Sequence, residues 1–238
     1  MDLFDKLVNK DELKKKLADM DREVKEIDPV EMANFINKRV IGQEKVVEQI
    51  SKTVASRMAR KRKGKPVLTL LISGPTGTGK TELAKAVAEY LFDDEANMER
   101  IDVGNLGSHG VSSLVGSPKG YAGSDEWGSL TKHLRTTPET LVLFDEVEKA
   151  GKDPASELYL VLLSLLDEGR VTERSCSQTV DATDAIIIMT SNANQKELAE
   201  LAERYKDDRD ELDRASRDAL QDFFAPEFLG RIDVVTTV

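Results

Sequence analysis

Residues 74–81 read Gly-Pro-Thr-Gly-Thr-Gly-Lys-Thr. Glycines at this spacing let backbone N–H groups turn inward around a chain of phosphates, where side chains would obstruct them. Lys80 adds a charge that can reach the terminal phosphates, and the Thr81 hydroxyl is a hard oxygen ligand suited to Mg²⁺. Farther along, "LVLFDEVEKA" delivers two acids, Asp145 and Glu146. One can hold a hydrated cation while the other polarises an attacking water. The stretch "AIIIMTSN" ends in Asn192, whose amide can orient the same water. Asparagine in such a place is also a common loop cap, so this third residue reads two ways. The chemistry implied is transfer of a terminal phosphoryl group to water.

Such residues work only if strands and helices bring them to one edge. The apolar run before Gly74 predicts a strand, and Leu83, Val87, Tyr90 and Leu91 fall on one face of a helix after it. Strands are expected near residues 67–73, 101–103, 141–145, 185–190 and 234–238, separated by helical patterns. That alternation predicts an α/β P-loop fold, a parallel five-stranded sheet flanked by helices. Ligands of such sheets bind at the C-terminal strand ends, where Asp145, Glu146 and Asn192 all lie. Residues 29–238 read as one domain. Residues 1–28 read as a charged helical leader with a thin apolar stripe at Leu3, Phe4, Leu7, Val8, Leu13 and Leu17, either a solvated helix or one that docks a partner. Residues 195–224 are highly charged, with leucine and alanine at helical intervals, and predict one or two surface helices.

Composition narrows the class. The 238 residues are 39% hydrophobic and 33% charged, as in a soluble globular chain. The apolar runs are too short to span a bilayer, and the start lacks the apolar block of a signal peptide. A single cysteine, Cys176, makes no internal disulfide, and a cytoplasmic location is expected. The net charge of −10 opposes general nucleic-acid affinity. The local exception is "RMARKRKGK", residues 57–65, which reads as a phosphate-contacting patch or as a solvated basic helix end.

With the strand-end motifs in order, the chain resembles an AAA+ ATPase, and more narrowly the second ATPase ring of the Clp unfoldases and disaggregases. "RVIGQEKVVEQI", "GPTGTGKTELAKAVAEYLF", "LVGSPKGYAG", "LTKHLRTTPETLVLFDEVEKA", "LLSLLDEGRVT", "IIIMTSN" and "FFAPEFLGRID" follow in the family's order from about Arg39 to Val238. The resemblance implies binding of ATP or ADP with Mg²⁺. The nucleotide would meet Val40 and Ile41 at the adenine, Gly74, Pro75, Thr76, Gly77, Thr78, Gly79, Lys80, Thr81 and Glu82 around the phosphates, and Asp145. Thr81 and Asp145 would serve the metal, Asp145 through water. Glu146 would activate water, Asn192 would be the first sensor, and Arg231 the arginine finger acting on nucleotide held by a neighbouring subunit. Read alone, Arg231 is as well explained by a surface salt bridge to Asp233 or Glu227.

Lys119, Gly120, Tyr121, Ala122 and Gly123 would form a pore loop that grips polypeptide; the alternative for Tyr121 is packing on a neighbouring surface. Several residues depart from the family pattern. Lys119 stands for a second proline, Ala122 for valine, Trp127 for glycine and Gly151 for histidine, and "ERSCSQTVD" replaces "DGQGRTVD". The small helical domain that follows in the family is expected to lie outside these residues, making this the large ATPase subdomain. No isoleucine-glycine-leucine or isoleucine-glycine-phenylalanine tripeptide lies between Asn192 and Phe223, which argues against a Clp peptidase partner. The expected function is an ATP-driven protein unfoldase working as a hexameric ring on protein substrates. The alternatives are a nucleic-acid loader or initiator, and a nucleotide-dependent scaffold with little hydrolysis.

Overall fold

The computed structural model describes residues 26–60, 62–106, 110–121, 125–151, 153 and 156–238. The leader expected over residues 1–28 thus falls, up to residue 25, outside the described residues, as do Ala122 and Gly123 of the expected pore loop. Two helices open the chain, α1 (Pro29–Asn37) and α2 (Glu44–Ala59). Asp28 caps α1 by accepting from Val30 and Glu31, with Pro29 at the first helical position where no N–H is needed. Then come β1 (Leu68–Ser73), α3 (Lys80–Phe92), β2 (Met98–Asp102), α4 (Gly110–Val115), α5 (Ser129–Thr136) and β3 (Leu141–Asp145). The chain continues through α6 (Glu157–Glu168), β4 (Arg170–Glu173), β5 (Gln178–Asp181), β6 (Ile186–Ser191), α7 (Gln195–Arg204), α8 (Arg209–Ala219), α9 (Pro226–Leu229) and β7 (Val234–Thr237).

Five strands form one parallel sheet in the order β2-β3-β6-β1-β7. The three central strands are buried along their whole length, so their sequences are mostly apolar, broken before their polar ends only by Thr69. Leu70, Ile72, Leu141, Leu143, Ile186 and Ile188 face a layer built by α1, α2 and α3. Leu71, Val142, Phe144, Ile187 and Met189 face the opposite layer, to which α4 through α9 contribute. The highly charged stretch resolves into two helices, α7 and α8, each burying a narrow leucine stripe at Leu198, Leu201 and Leu212.

Two elements differ from expectation. Strand β2 begins at Met98 rather than near residue 101, and Val103 belongs to a 3₁₀ turn. It is an edge strand with Glu99 and Arg100 half-buried or exposed between Met98 and Ile101, so it shows no apolar run. The β4–β5 hairpin was not expected at all. Its register pairs Val171 with Val180 but sets Glu173, fully buried, at a position where alternation calls for an apolar residue.

The basic stretch after α2 turns inward. Arg57 and Arg62 both pair with Asp233, at 3.2 and 2.6 Å, and that buried carboxylate also accepts from the Thr69 N–H and hydroxyl. Lys65 pairs with Asp167. These cations thus have carboxylate partners within the chain. Among the described residues no helix is long and apolar enough to cross a membrane.

Candidate active site

The strand order sets β3, β6 and β1 side by side, and the register carries the segments after them to one edge. Gly74 leaves β1 at φ +145, and a Cβ there would overlap the Val238 carbonyl, so the loop starts wedged against the end of β7. Gly77 and Gly79 take left-handed conformations at φ +85 and +88 with open space where a Cβ would stand. Gly79 caps α3, so the unpaired N–H groups of its first turn face the loop.

Lys80 is buried and donates to the carbonyls of Gly74 and Pro75, at 2.9 and 2.7 Å. Burial pushes its ammonium below its ordinary range, opposed by the charges of Glu148, Asp145 and Glu146. The Thr81 hydroxyl lies 3.3 Å from both oxygens of Asp145. Asp145 also accepts from the Thr190 hydroxyl and from Arg100, at 2.6 Å. The cradle fits a phosphate chain, with cation, helix N-terminus and open glycine backbone together. The hydroxyl of Thr81 beside the carboxylate of Asp145 is a hard-oxygen pair of the type Mg²⁺ prefers.

Glu146 stands at φ 57, ψ 49, a left-handed conformation that costs a residue with a Cβ about 1–2 kcal/mol. Its N–H donates to Thr190 Oγ1 at 3.2 Å, which helps hold the turn. The turn aims the Glu146 carboxylate at Asn192, whose Nδ2 donates to Glu146 Oε1 at 3.1 Å. Asn192 is therefore more than a loop cap, because its amide holds the second acid. Its own N–H donates to Glu148 Oε1 at 3.2 Å.

Other expected residues are placed apart. The Glu82 carboxylate is held by Arg39 and Lys85, both at 3.0 Å, and points to that cluster. Arg39 also binds Glu89 and Glu95, so it ties the segment before α2 to α3. Next to it, Val40 joins the core while Ile41 is 85% exposed. Arg231 is not in the cluster; its half-exposed guanidinium pairs with Asp167 at 2.7 Å. A salt bridge was the alternative reading of Arg231, but neither partner named for it from sequence is the one found.

Tyr121 is 71% exposed, on a turn in which its N–H donates to the Pro118 carbonyl at 3.2 Å. Lys119 and Gly120 beside it are exposed too. Within this chain Tyr121 is therefore not packed onto a neighbouring surface. Sequence reasoning overlooked Arg100, Thr190 and Glu148. Thr190 follows Met189, which pairs with Phe144 just before Asp145, so extending the β3–β6 register by one step would have found it; Arg100 lay in a strand whose start was misplaced.

The family model for the AAA domain (Cdc48 subfamily) matches residues 65–235. The chaperone protein ClpB of Staphylococcus epidermidis is 43% identical over 204 residues, 85% of this chain and 23% of that protein. ClpB of Gloeobacter violaceus is 44% identical over 83% of the chain and 22% of that protein. The chain thus spans about a quarter of the length of these relatives. Among solved structures, an S. cerevisiae Hsp104:casein complex in an extended conformation superposes with a TM-score of 0.74 at 35% identity, covering 91% of this chain and 36% of that one. A closed-state reconstruction of Hsp104 with ATPγS and FITC casein gives 0.73, also at 35% identity, over 90% of this chain and 37% of that one.

Proposed function

Since the chain belongs to the AAA domain family (Cdc48 subfamily), we propose that it is the ATP-hydrolysing module of a protein unfoldase and disaggregase that assembles as a hexameric ring and threads polypeptide through its pore. The observation that carries the reading is Tyr121, an aromatic held out in solvent on the same domain as the Thr81–Asp145 and Glu146–Asn192 pairs. The similarity to ClpB, and to Hsp104 structures that contain casein, supports it. A nucleic-acid role loses part of its support, because three cations of the basic stretch, Arg57, Arg62 and Lys65, are engaged with Asp233 and Asp167.

In this reading the loop from Gly74 to Gly79 and the first turn of α3 bind the phosphates, with Lys80 turning from the loop carbonyls to the terminal oxygens. Thr81, and Asp145 through water, would hold Mg²⁺, which when bound would neutralise phosphate charge and ease departure of the leaving group. Glu146 takes the proton of the attacking water, and Asn192 keeps that carboxylate aimed. Val40 and Ile41 border the base. The direct test is ATP-dependent loss of fluorescence from a tagged, stably folded fluorescent protein mixed with the full-length protein. Hydrolysis without any unfolding would reject the reading in favour of a plain ATPase or scaffold.

The ring makes a further demand. A guanidinium supplied in trans raises phosphoryl transfer by about 10³–10⁵ in other hydrolases, and Arg231 is proposed for that role. Its partner Asp167 is itself part-exposed, so the pair is weak enough to part at little cost. Specific ATPase activity should therefore rise with protein concentration, and Arg231→Ala should abolish the rise while sparing nucleotide binding. A rate independent of concentration and of this substitution would put Arg231 outside the mechanism.

A further inference from the structure

The two stems of the Tyr121 segment meet at its base. A Cβ on Gly128, which precedes α5, would overlap the Leu114 carbonyl and the N–H of Gly116. Into this junction reaches Glu173, the last residue of β4, with no exposed surface. Its Oε2 accepts from the Gly128 N–H at 3.0 Å and from the Thr131 hydroxyl in the first turn of α5. Its Oε1 accepts from the Ser175 N–H at 2.9 Å. On the other stem Gly116 stands at φ +77, and a Cβ there would overlap the same carboxylate. The neighbouring Arg174 N–H donates to the Val115 carbonyl at 2.7 Å. One hairpin strand is thus fastened to both ends of the loop.

A buried carboxylate is costly unless every lone pair is used. Burial alone would push the Glu173 carboxyl up, but bonds from Ser175, Thr131 and Gly128 outweigh it and hold it below its ordinary range. An apolar residue would pack here without that cost, as Val171 does on the same strand face. The charge therefore serves something that packing alone does not, and its donors name it: the hairpin turn and the stem of the loop.

We propose that Glu173 is a positioning residue that locks the base of the Tyr121 loop to the β4–β5 hairpin. The loop then moves with the hairpin instead of swivelling on its glycines. At the tip, Gly120 lies at φ +93 with open space around it, so the tip is pliable and only a fixed base lets it carry load. Strand β4 follows α6 after the single residue Gly169, and Asp167 in the last turn of α6 holds Arg231. The α6–β4 unit therefore touches Arg231, proposed to act on a neighbour's nucleotide, at one end and the loop base at the other. What the loop grips rests on the function proposed above; the lock itself does not.

Glu173→Gln keeps the shape but replaces one acceptor oxygen with an NH₂ that opposes the N–H groups around it. Trp127, the one tryptophan of the chain, adjoins Gly128 and stacks under the Arg135 guanidinium at 4.4 Å, so it reports on the stem. In the chain itself, with far-UV circular dichroism unchanged, acrylamide quenching of Trp127 should rise about twofold as the stem opens locally. In the full-length ring, substrate unfolded per ATP hydrolysed should fall roughly tenfold, the scale of one hydrogen bond to a charged group. Nucleotide affinity should hold, and Glu173→Asp should restore part of the loss. Thr131→Val, which removes one donor to the carboxylate, should move both readouts the same way if the glutamine variant does not fold. Unchanged Trp127 quenching in a folded variant overturns the lock. So does unchanged unfolding per ATP in a ring that Tyr121→Ala disables. If Tyr121→Ala itself leaves unfolding intact, the gripping function falls, while increased Trp127 quenching still upholds the lock.

Discussion

Glu146→Gln should lower ATP turnover by about 10²–10⁴, the range lost with a general base, while leaving ATP affinity within a few-fold of the parent. The separation follows from the geometry. Phosphate binding is assigned to Lys80, the glycine loop and the first turn of α3, and metal binding to Thr81 and Asp145. None of these groups touches the Glu146 side chain through a direct bond. Glutamine preserves the contact to Asn192, since its carbonyl oxygen can still accept from Nδ2 in place of Oε1. What it loses is the second oxygen and the negative charge that take a proton from water. Single-turnover hydrolysis alongside titration of a fluorescent ATP analogue separates the two quantities. A variant that turns over at the parental rate would remove Glu146 from the mechanism. One that stops binding ATP would show that the carboxylate shapes the cradle instead.

The elements around the candidate site were legible because they obey strong local rules. Buried parallel strands are mostly apolar, so β1, β3 and β6 stood out, and each ends in the polar residues that lead to the site. The glycine loop is likewise required by close backbone approach to phosphate. What escaped notice depends on partners distant in sequence. Arg100 reads as one more charge on an edge strand until the sheet sets it against Asp145. Arg231 could be assigned a salt bridge, yet Asp167 lies 64 residues away and local spacing cannot select it. The β4–β5 hairpin was missed for a related reason. Its strands have four residues each, and the inward position at 173 carries a carboxylate, so the alternation that announces a strand is broken by the residue with the largest tertiary role.

Tyr121→Ala should abolish unfolding of a stable substrate in the full-length ring and leave basal ATP hydrolysis within a few-fold of normal. The two functions separate because Tyr121 has no bond to the hydrolytic cluster; its recorded contact is the turn to Pro118. An aromatic ring grips through apolar area and so takes hold of an extended chain with little regard to sequence. One such contact is worth about 2 kcal/mol when the ring is fully covered. A folded substrate domain resists with about 5–15 kcal/mol. On the proposed reading a single loop would slip before the substrate yields, whereas several loops engaged around one strand would exceed the resistance, so the grip would require a ring. Alanine removes most of that contact area from every subunit at once, so the loss should be near complete rather than proportional. Tyr121→Phe keeps the ring and should unfold nearly as well as the parent, since the hydroxyl is not what holds the chain. The measurement is fluorescence decay of a tagged fluorescent protein beside phosphate release in the same reaction. Equal decay with Tyr121→Ala and the parent would assign the grip to another residue. A parallel collapse of phosphate release would mean that the loop acts on hydrolysis, and that its exposed position serves the site rather than the substrate.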